Sequence, residues 1–334
     1  MTDFDFDLIV IGAGPAGLTA AQYGARAGLS VLALERLAPG GQVLLIDVLE
    51  NYPGVAAGKT GFEFSEDLRR QAEAFGAKFL GEEAAALARA GRGFSVTLGS
   101  GGVRRAAAVL IATGAVHRTL GIPGEKEFYG RGVSYCAACD GPFFRDKKVF
   151  VVGGGDAACD EALFLSRLTS DVTIIHRREK FRAQKSLADR VLHNPNIRVM
   201  FNTVLKEIKG SGGKVSEVML LDVAAFEAWV KANIGTDNDS EIPELAEESA
   251  DGVFIFAGTE PQSALVAGKG LAVALDDAGY ILTDQHMATT APGLFAAGDV
   301  RATPFRQVVT AAGDGAVAAH SAAIYIDMLK GETY

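Results

Sequence analysis

The stretch "DLIVIGAGPAGLTAAQYGARAGLSVLALE", Asp7 to Glu35, holds an apolar run, a glycine turn, a helix-forming segment and a second apolar run ending in an acid. Gly12, Gly14 and Gly17 have the G-x-G-x-x-G spacing, which is informative where it joins a strand to a helix. These glycines allow a tight turn, close approach of backbone to a pyrophosphate, and close helix–strand packing. The helix N-terminus directs free N–H groups at phosphates. The stretch predicts a dinucleotide site, with Glu35 accepting hydrogen bonds from ribose hydroxyls.

The same arrangement recurs in "KKVFVVGGGDAACDEALFLSRLTSDVTIIHRR". Its loop and strand end carry Gly153, Gly155, Ala158, His176, Arg177 and Arg178, with Arg182 further on. The two loops are in register, because the spacing from Gly12 to Glu35 equals that from Gly153 to His176. A carboxylate repels a ribose 2′-phosphate, whereas guanidiniums bind it in bidentate pairs. We therefore expect a dinucleotide with a free ribose at the first loop and NADPH at the second; a solvated charge cluster is the alternative at the second.

A third stretch, "GLFAAGDV" from Gly293 to Val300, is an apolar strand that ends in Gly298-Asp299 and precedes the helical segment "FRQVVTAAGDGAVAAH". An acid at a strand end beside a helix start suits the ribityl chain and pyrophosphate of FAD. The helix start near Gln307 can stabilise negative charge on a reduced flavin. Together with the two glycine loops, this stretch indicates a flavoenzyme that a nicotinamide reduces.

The fold class predicted from these stretches is α/β, with two Rossmann-like three-layer dinucleotide-binding domains. A length of 334 residues fits two domains. Because the third stretch resumes the first domain, the NADPH domain is expected as an insertion into the FAD domain. The motifs "LIATGA" and "FIFAGTEP" are the expected crossings. The expected boundaries are 1–117 and 252–334 for the FAD domain, and 118–251 for the NADPH domain.

The stretch "SYCAACDGPFF" contains two cysteines at C-x-x-C spacing, Cys136 and Cys139, followed by Asp140. A zinc site needs about four ligands, but the only other cysteine is Cys159 and the histidines are scattered, so no metal site is predicted. A purely structural disulfide across so short a loop would add little stability. A redox dithiol explains more: a helix start at Cys136 would lower its thiol pKa, and Asp140 can exchange a proton with a departing thiolate. Cys159 is expected to be a small buried helix residue.

In the order of its motifs, the chain resembles the bacterial low-molecular-weight thioredoxin reductases from about Asp7 to Asp327. The motifs are "GAGPAG", "GGQ", "ENYPG", "CAACDG", "GGGDAA", "HRREKFRA", "FAAGDV" and "RQVVTAAGDG". The resemblance implies that Cys136 attacks the disulfide of thioredoxin, that Cys139 faces the flavin and receives its electrons, and that Asp140 is the acid/base. It also implies a homodimer whose NADPH domain rotates between two poses.

The motifs and the resemblance together assign cofactor-binding residues. The expected FAD-binding residues are Gly12, Gly14, Ala16, Gly17, Glu35, Arg36, Gly41, Gln42, Asn51, Thr113, Gly114, Gly298, Asp299, Arg306, Gln307 and Val308. The expected NADPH-binding residues are Gly153, Gly155, Asp156, Ala157, Ala158, His176, Arg177, Arg178 and Arg182.

Net charge and hydropathy restrict the classes of partner and the cellular compartment that we expect. A net charge of -9 argues against nucleic acid and anionic membrane surfaces. The N-terminus lacks the basic residues of a signal peptide, and no apolar stretch has the length of a membrane span. We therefore expect a cytoplasmic protein. The alternatives to thioredoxin as acceptor are a glutaredoxin-like protein or a small disulfide. A flavin reductase of one-electron carriers and a redox sensor that merely binds FAD are further alternatives.

One segment departs from the family pattern in length. Residues Val223 to Ala250 are longer than the hairpin that the family carries there, with an acidic centre that we expect to be exposed. The part "AAFEAWVKA" could form a short amphipathic helix. Its role as a docking surface for a partner is an open alternative.

Ala157 stands where the family usually has a small hydroxyl residue, so one hydrogen bond to the NADPH pyrophosphate is expected to be absent. We predict that Ala157→Ser strengthens NADPH binding by about 1 kcal/mol, the net value of one such bond. The KM for NADPH, measured with the acceptor saturating, reports the change. An unchanged KM would contradict the prediction.

Overall fold

The computed structural model describes residues 4–46, 48–49, 51–223, 225–227, 231, 246–267 and 270–331. The chain divides into two compact units, Met1–Val116 with Thr259–Tyr334, and His117–Gly258. The second boundary falls later than the predicted residue 252, because Gly252–Ile255 forms a strand in the sheet of the second unit. Most of the predicted insertion at 223–250 lies outside the described residues.

The first unit is built from strands and helices that lie before and after the insertion. Its strands are β1 (Phe6–Ile11), β2 (Val31–Leu34), β3 (Lys78–Leu80), β4 (Ala84–Ala90), β5 (Gly93–Leu98), β6 (Val103–Ile111), β7 (Ala115–His117), β16 (Thr259–Pro261) and β17 (Leu294–Ala296). Its helices are α1 (Pro15–Arg26), α2 (Gly61–Ala74) and α6 (Val308–Lys330).

The main sheet of this unit is a parallel sheet with an antiparallel extension. Its order is β3-β2-β1-β6-β5-β4, and β17 also pairs with β6. The first half of the long strand β6 pairs antiparallel with β5, and its last residues pair parallel with β17. One strand therefore holds together the segments that precede and follow the insertion.

Both faces of β1 are buried, which explains its uninterrupted apolar sequence. Leu8 and Val10 pack with the alanines of α1 and α6. Ile9 and Ile11 pack on the other face, against Phe94 and other residues of the β4–β5 hairpin. The unit therefore has three layers: helices, the parallel sheet and an antiparallel layer.

The second unit repeats this plan. Its strands are β8 (Val133–Ser134), β9 (Val149–Val152), β10 (Val172–Ile175), β11 (Ile197–Met200), β12 (Thr203–Ser211), β13 (Lys214–Asp222), β14 (Ala246–Ser249) and β15 (Gly252–Ile255). Its helices are α3 (Ala137–Asp140), α4 (Asp156–Leu165) and α5 (Lys185–Leu192).

Its five-stranded parallel sheet has the order β11-β10-β9-β15-β8, and β12, β13 and β14 form a separate antiparallel sheet. Val149 and Val151 of β9 pack against α4 and α5. Phe150, on the opposite face, packs with residues of β12 and β13. Two three-layer units of this kind confirm the predicted α/β class. Among the helices that the structure describes, none combines the length and apolarity that a membrane crossing requires.

Helices α1 and α6 pack at a distance that only glycine allows. A Cβ on Gly315 would lie 2.1 Å from the carbonyl oxygen of Ala16, so the two helix backbones nearly touch. Gly313, two residues earlier on the same helix, is exposed, and a Cβ there would meet nothing within 4 Å.

These two glycines form a matched pair for a stability measurement. Gly315→Ala is expected to lower the free energy of unfolding by about 1–3 kcal/mol, because backbone must move to admit the methyl group. Gly313→Ala is expected to be neutral or stabilising by up to about 1 kcal/mol, because alanine favours the helix. Urea unfolding of both variants measures the difference, and equal effects would contradict the packing argument.

Candidate redox and dinucleotide-binding sites

The first glycine loop is fixed by backbone contacts and leaves one side open. A Cβ on Gly12 would lie 2.4 Å from the carbonyl oxygen of Ala112, and one on Gly17 would lie 1.9 Å from that of Gly12. A Cβ on Gly14 would meet nothing within 4 Å, and Gly14 opens α1 without a side-chain cap. Gly41 lies beside it, since its Cβ would be 3.3 Å from the Gly14 Cα. The open backbone at Gly14 fits a pyrophosphate.

Glu35 is held at the end of β2 by two backbone donors. Its Oε2 accepts from the N–H of Ala13 and its Oε1 from the N–H of Leu37, both at 3.0 Å. The carboxylate thus lies beside the glycine loop, where the sequence places a ribose. Arg36 is instead exposed and pairs with Glu83 at 3.7 Å, and no contact among the described residues brings its side chain to the loop.

Three further polar residues predicted in this unit, Gln42, Asn51 and Thr113, bond to backbone or to another predicted residue. Asn51 Nδ2 donates to Gln307 Oε1 at 3.0 Å, which brings two distant predicted residues together. Gln42 Nε2 donates to the carbonyl of Ala115. Thr113 Oγ1 donates to the carbonyl of Gln262 at 2.6 Å. Gly114 follows with a φ of 71° and open space at its Cβ position.

The segment from Gly298 to Val308 leads into α6 and comes close to the first turn of α1. A Cβ on Gly298 would lie 3.0 Å from the Ala16 Cβ, so its backbone abuts the first turn of α1. Gln307 caps α6, and its N–H donates to Thr310 Oγ1 at 3.1 Å. Val308 is the first helical residue and is partly buried. The start of α6 therefore lies beside that of α1.

Charged groups near this junction are partly buried. Burial raises the pKa of Asp299, with Arg306 acting in the opposite direction and Asp314 adding to the rise. The Arg306 guanidinium lies 4.2 Å from the centre of the Tyr280 ring, and its buried Nε has no hydrogen-bond partner within the described chain. An unpaired buried guanidinium donor fits an anionic ligand.

Asp314 is a functional candidate that the sequence did not indicate. It pairs with Arg301 at 3.1 Å, and it accepts from the N–H of Gly298 at 3.2 Å. It therefore supports the turn that carries Asp299. No local sequence pattern links a residue inside α6 to this turn, because the contact exists only after the helix has packed.

The second glycine loop reproduces the first with different neighbours. A Cβ on Gly153 would lie 2.7 Å from the Ala158 Cβ, and one on Gly154 would lie 2.3 Å from the His176 ring. Gly155 opens α4 with free space at its Cβ position and no side-chain cap. Ala157, in the first turn, is exposed.

His176 is buried beneath the second glycine loop. Its side chain is only 5 % exposed, and burial together with Arg182 and Arg178 lowers the pKa of its imidazole. Its Nε2 has no hydrogen-bond partner among the described residues. The ring packs under Gly154, so His176 supports the loop from below.

The three predicted arginines are presented to solvent beside this loop. The side chains of Arg177, Arg178 and Arg182 are exposed, and within the described residues none forms an ion pair or a hydrogen bond. Arg182 is fixed through its backbone, which donates to the carbonyl of Gly154 at 2.7 Å. Asp156 Oδ1 accepts from the N–H of Gln184 at 2.7 Å and so attaches the arginine segment to α4. Free guanidiniums beside an open helix start fit a phosphate.

The two cysteines form a disulfide in the second unit. Their Cα atoms are 5.3 Å apart. Cys136 is the N-cap of the one-turn helix α3, and its Sγ accepts from the N–H of Cys139 at 3.2 Å. The same backbone donor stabilises a thiolate at Cys136 when the disulfide is reduced. Cys159 is fully buried in the core, and burial raises the pKa of its thiol to about 11.

Asp140 is held by a residue that the sequence did not indicate. The Oγ of Ser134 donates to Asp140 Oδ2 and accepts from the N–H of Cys136 at 3.1 Å. Burial raises the pKa of a second carboxylate, Glu161 of α4, and contact with the backbone of Ala138, between the cysteines, opposes the rise. No local pattern in the sequence indicates either of these contacts. No group of three potential metal-ligating side chains occurs in the part of the chain that the structure describes.

A comparison with family models assigns the class of the protein. The model described as "Pyridine nucleotide-disulphide oxidoreductase" matches residues 6–315. The chain belongs to this family, which implies a flavin and a nicotinamide cofactor. Two open glycine loops, one beside an acid and one beside three free arginines, fit such cofactors.

Individual relatives narrow the class further. A protein of Treponema pallidum named thioredoxin reductase is 52% identical over 326 residues, which cover 98% of this chain and 99% of the relative. A thioredoxin reductase of Peptoclostridium litorale is 43% identical over 327 residues, with 98% and 99% coverage. The crystal structure of thioredoxin reductase from Streptococcus pyogenes has a TM-score of 0.85 and 40% identity, and covers 97% of this chain and 98% of that one. These matches confirm the resemblance seen in the sequence.

Proposed function

We propose that the protein is an NADPH-dependent, FAD-containing thioredoxin-disulfide reductase. The observation that carries the proposal is the Cys136–Cys139 disulfide, capped onto a helix turn with a bound carboxylate, Asp140, directly beside it. A structural disulfide needs neither a thiolate-stabilising donor nor a fixed acid. The names of the relatives support thioredoxin as the acceptor.

The opposite charges at the two loops support the assignment of the cofactors. Glu35 is fixed beside the first loop, and an acid there accepts from the ribose hydroxyls of FAD but repels a 2′-phosphate. Arg177, Arg178 and Arg182 lie beside the second loop with no partner in the described chain, and they would hold the 2′-phosphate of NADPH. Among the remaining predicted residues, His176 would support the NADPH loop from beneath, and Arg36, which pairs with Glu83, is not assigned a contact with FAD. The others follow the same two assignments.

When bound, NADPH supplies a hydride and FAD passes its two electrons to a disulfide. The residues of this chain perform the thiol–disulfide exchange that follows. The Cys136 thiolate attacks one sulfur of the thioredoxin disulfide; that S–S bond breaks, and the other thioredoxin sulfur leaves as a thiolate that takes up a proton. Cys139 loses its proton and attacks Cys136, which re-forms the Cys136–Cys139 bond and releases the second thioredoxin thiolate. Asp140 is the acid/base for these proton transfers.

We also propose a homodimer that works in the cytoplasm. The family resemblance supports the dimer. The cysteine usage supports a reducing compartment, since one C-x-x-C pair and one buried free thiol are typical of proteins that are not stabilised by disulfide frameworks. A glutaredoxin-like protein or a small disulfide as acceptor would use the same residues.

Substitution of the arginines beside the second loop tests whether the protein prefers NADPH to NADH. Arg177→Ala and Arg178→Ala are each expected to raise the KM for NADPH about tenfold or more, because each removes a charge-assisted bond to the 2′-phosphate. The KM for NADH should hardly change. Arg190→Ala removes an exposed arginine of the same unit and is the matched control. Equal losses with NADPH and NADH would contradict the assignment.

The cysteine pair tests the function itself. Cys139→Ser is expected to abolish NADPH-dependent reduction of thioredoxin, because no disulfide can re-form with Cys136. NADPH-dependent reduction of an artificial one-electron dye should persist. Cys159→Ala, which removes the buried thiol, should retain both activities. Persistence of thioredoxin reduction in Cys139→Ser would overturn the proposal, and failure of the wild-type protein to reduce thioredoxin would overturn the acceptor.

A further inference from the structure

Ser134 is the point at which the redox segment is attached to a rigid element. It ends β8, which pairs parallel with β15, and its side chain is 2 % exposed. A hydroxyl has one proton to donate. The Oγ of Ser134 accepts from the N–H of Cys136, and two acceptors lie within reach of its proton: Asp140 Oδ2 and, at 3.3 Å, the carbonyl oxygen of Cys136. The contact with Asp140 is the shorter, so we take the carboxylate as the acceptor. One buried side chain therefore joins the attacking cysteine to the carboxylate beside the disulfide.

We propose that Ser134 is a positioning residue that holds the Asp140 carboxylate at the cysteine pair. The inference rests on the proposed function, because it assigns Asp140 to the proton transfers of thiol–disulfide exchange. Ser134 itself touches no reacting sulfur in the proposed steps and acts through Asp140.

The hydrogen bond has two consequences for Asp140. It fixes the direction of one carboxylate oxygen, so that fewer conformations compete with the one that faces the thiols. It also favours the ionised form of the carboxylate, because a donor stabilises the charged acceptor. A carboxylate held at this position can accept the proton that Cys139 loses when it attacks Cys136, and can return it to a departing thiolate.

Other ionisable groups surround Asp140, and their titration must be separated from its own. Tyr129 is electrostatically coupled to Asp140, and burial raises the pKa of its phenol. On α4, burial raises the pKa of Glu161, while Asp160 is exposed and Asp156 is bonded to Gln184. The 3₁₀ turn Gly141–Phe144 carries no ionisable side chain. The thiols of Cys136 and Cys139 also titrate in the reduced enzyme, and an Asp140→Asn background separates their titration from that of the carboxylate.

The neighbouring residue provides a matched control. Tyr135 donates its hydroxyl to Glu125 Oε1 at 2.8 Å, and that buried carboxylate also accepts from the N–H groups of Leu120 and Gly121. Tyr135 thus attaches the same segment to a different part of the unit, without a bond to Asp140. Tyr135→Phe removes one hydrogen bond from the segment and leaves the Ser134–Asp140 bond in place.

The experiment measures electron transfer from the dithiothreitol-reduced holoenzyme to oxidised thioredoxin in a single turnover, across pH. Ser134→Ala is expected to slow the transfer about tenfold near neutral pH, a fraction of the value of a general acid/base. The acidic limb of the pH–rate profile should move to higher pH, since the carboxylate loses a stabilising donor. Tyr135→Phe should keep the position of the limb. In Glu161→Gln, any change in the acidic limb of the pH–rate profile measures the contribution of the second carboxylate.

A second comparison separates positioning from loss of structure. In an Asp140→Asn background, Ser134→Ala should cause no further loss of rate, because the residue through which it acts has already lost its charge. An equal loss in both backgrounds, or an unchanged pH profile in Ser134→Ala, would overturn the proposal. If the alanine variant does not fold, Ser134→Thr and Ser134→Val test the positioning role instead. Threonine and valine have the same shape, but only threonine keeps the hydroxyl, so only Ser134→Thr should retain the wild-type pH–rate profile.

The same variants are measured with 5,5′-dithiobis(2-nitrobenzoic acid) as a small disulfide probe. If the wild-type protein fails to reduce thioredoxin but reduces this probe, the proposed acceptor is wrong and the positioning role is still tested. If Ser134→Ala behaves as the wild type with both disulfides, the positioning role is wrong and the proposed function is unaffected.

Discussion

Contact between backbone atoms at the start of α1 is the constraint on which the first unit depends. Gly17 packs against the carbonyl of Gly12, and Gly315 of α6 packs against that of Ala16. Side chains can change rotamer to relieve a clash, but backbone in a packed sheet and helix cannot. These approaches therefore fix the positions of β1, α1 and α6 together. The open N–H groups at Gly14 are held in place as a result, and the phosphate site follows from packing.

The glycine loop of the second unit has the same geometry as the first, but its surroundings suit a different dinucleotide. Its loop is supported by the Ala158 methyl group and by the buried His176 ring, where the first loop rests on backbone. Glu35 is tied to its loop by hydrogen bonds, whereas the side chains of Arg177, Arg178 and Arg182 are exposed and have no partner among the described residues. Shape makes both loops suitable for dinucleotides, and charge at the strand end selects between them. The cysteine pair, between β8 and β9, shares a unit with the arginines.

Local patterns in the sequence were sufficient to predict both glycine loops and the three-layer class, because strand, glycine turn and helix follow one another within about 30 residues in such units. The spacing of the cysteines was sufficient to predict the cysteine pair. The predicted boundary at 252 differs from the division after residue 258, since an apolar run is equally consistent with a crossing and with a strand. Pairing of Gly252–Ile255 with β9 places that run in the second unit. Burial of His176 depends on the missing side chain at Gly154. Ser134, Glu161 and Asp314 were not predicted because each acts through a partner that only the folded chain brings near.

The discontinuity of the first unit has a consequence for biosynthesis. Strand β17 and helix α6, which complete its sheet and cover α1, follow residue 258, whereas the second unit is one uninterrupted segment. On the ribosome, residues 1–116 emerge first but lack the elements that bury the apolar faces of β6 and α1. The usual N-terminal-first order of domain folding is therefore inverted. The inserted unit is complete earlier, and the nascent N-terminal segment must wait, with apolar surface exposed to chaperones, until the C-terminal helix is released.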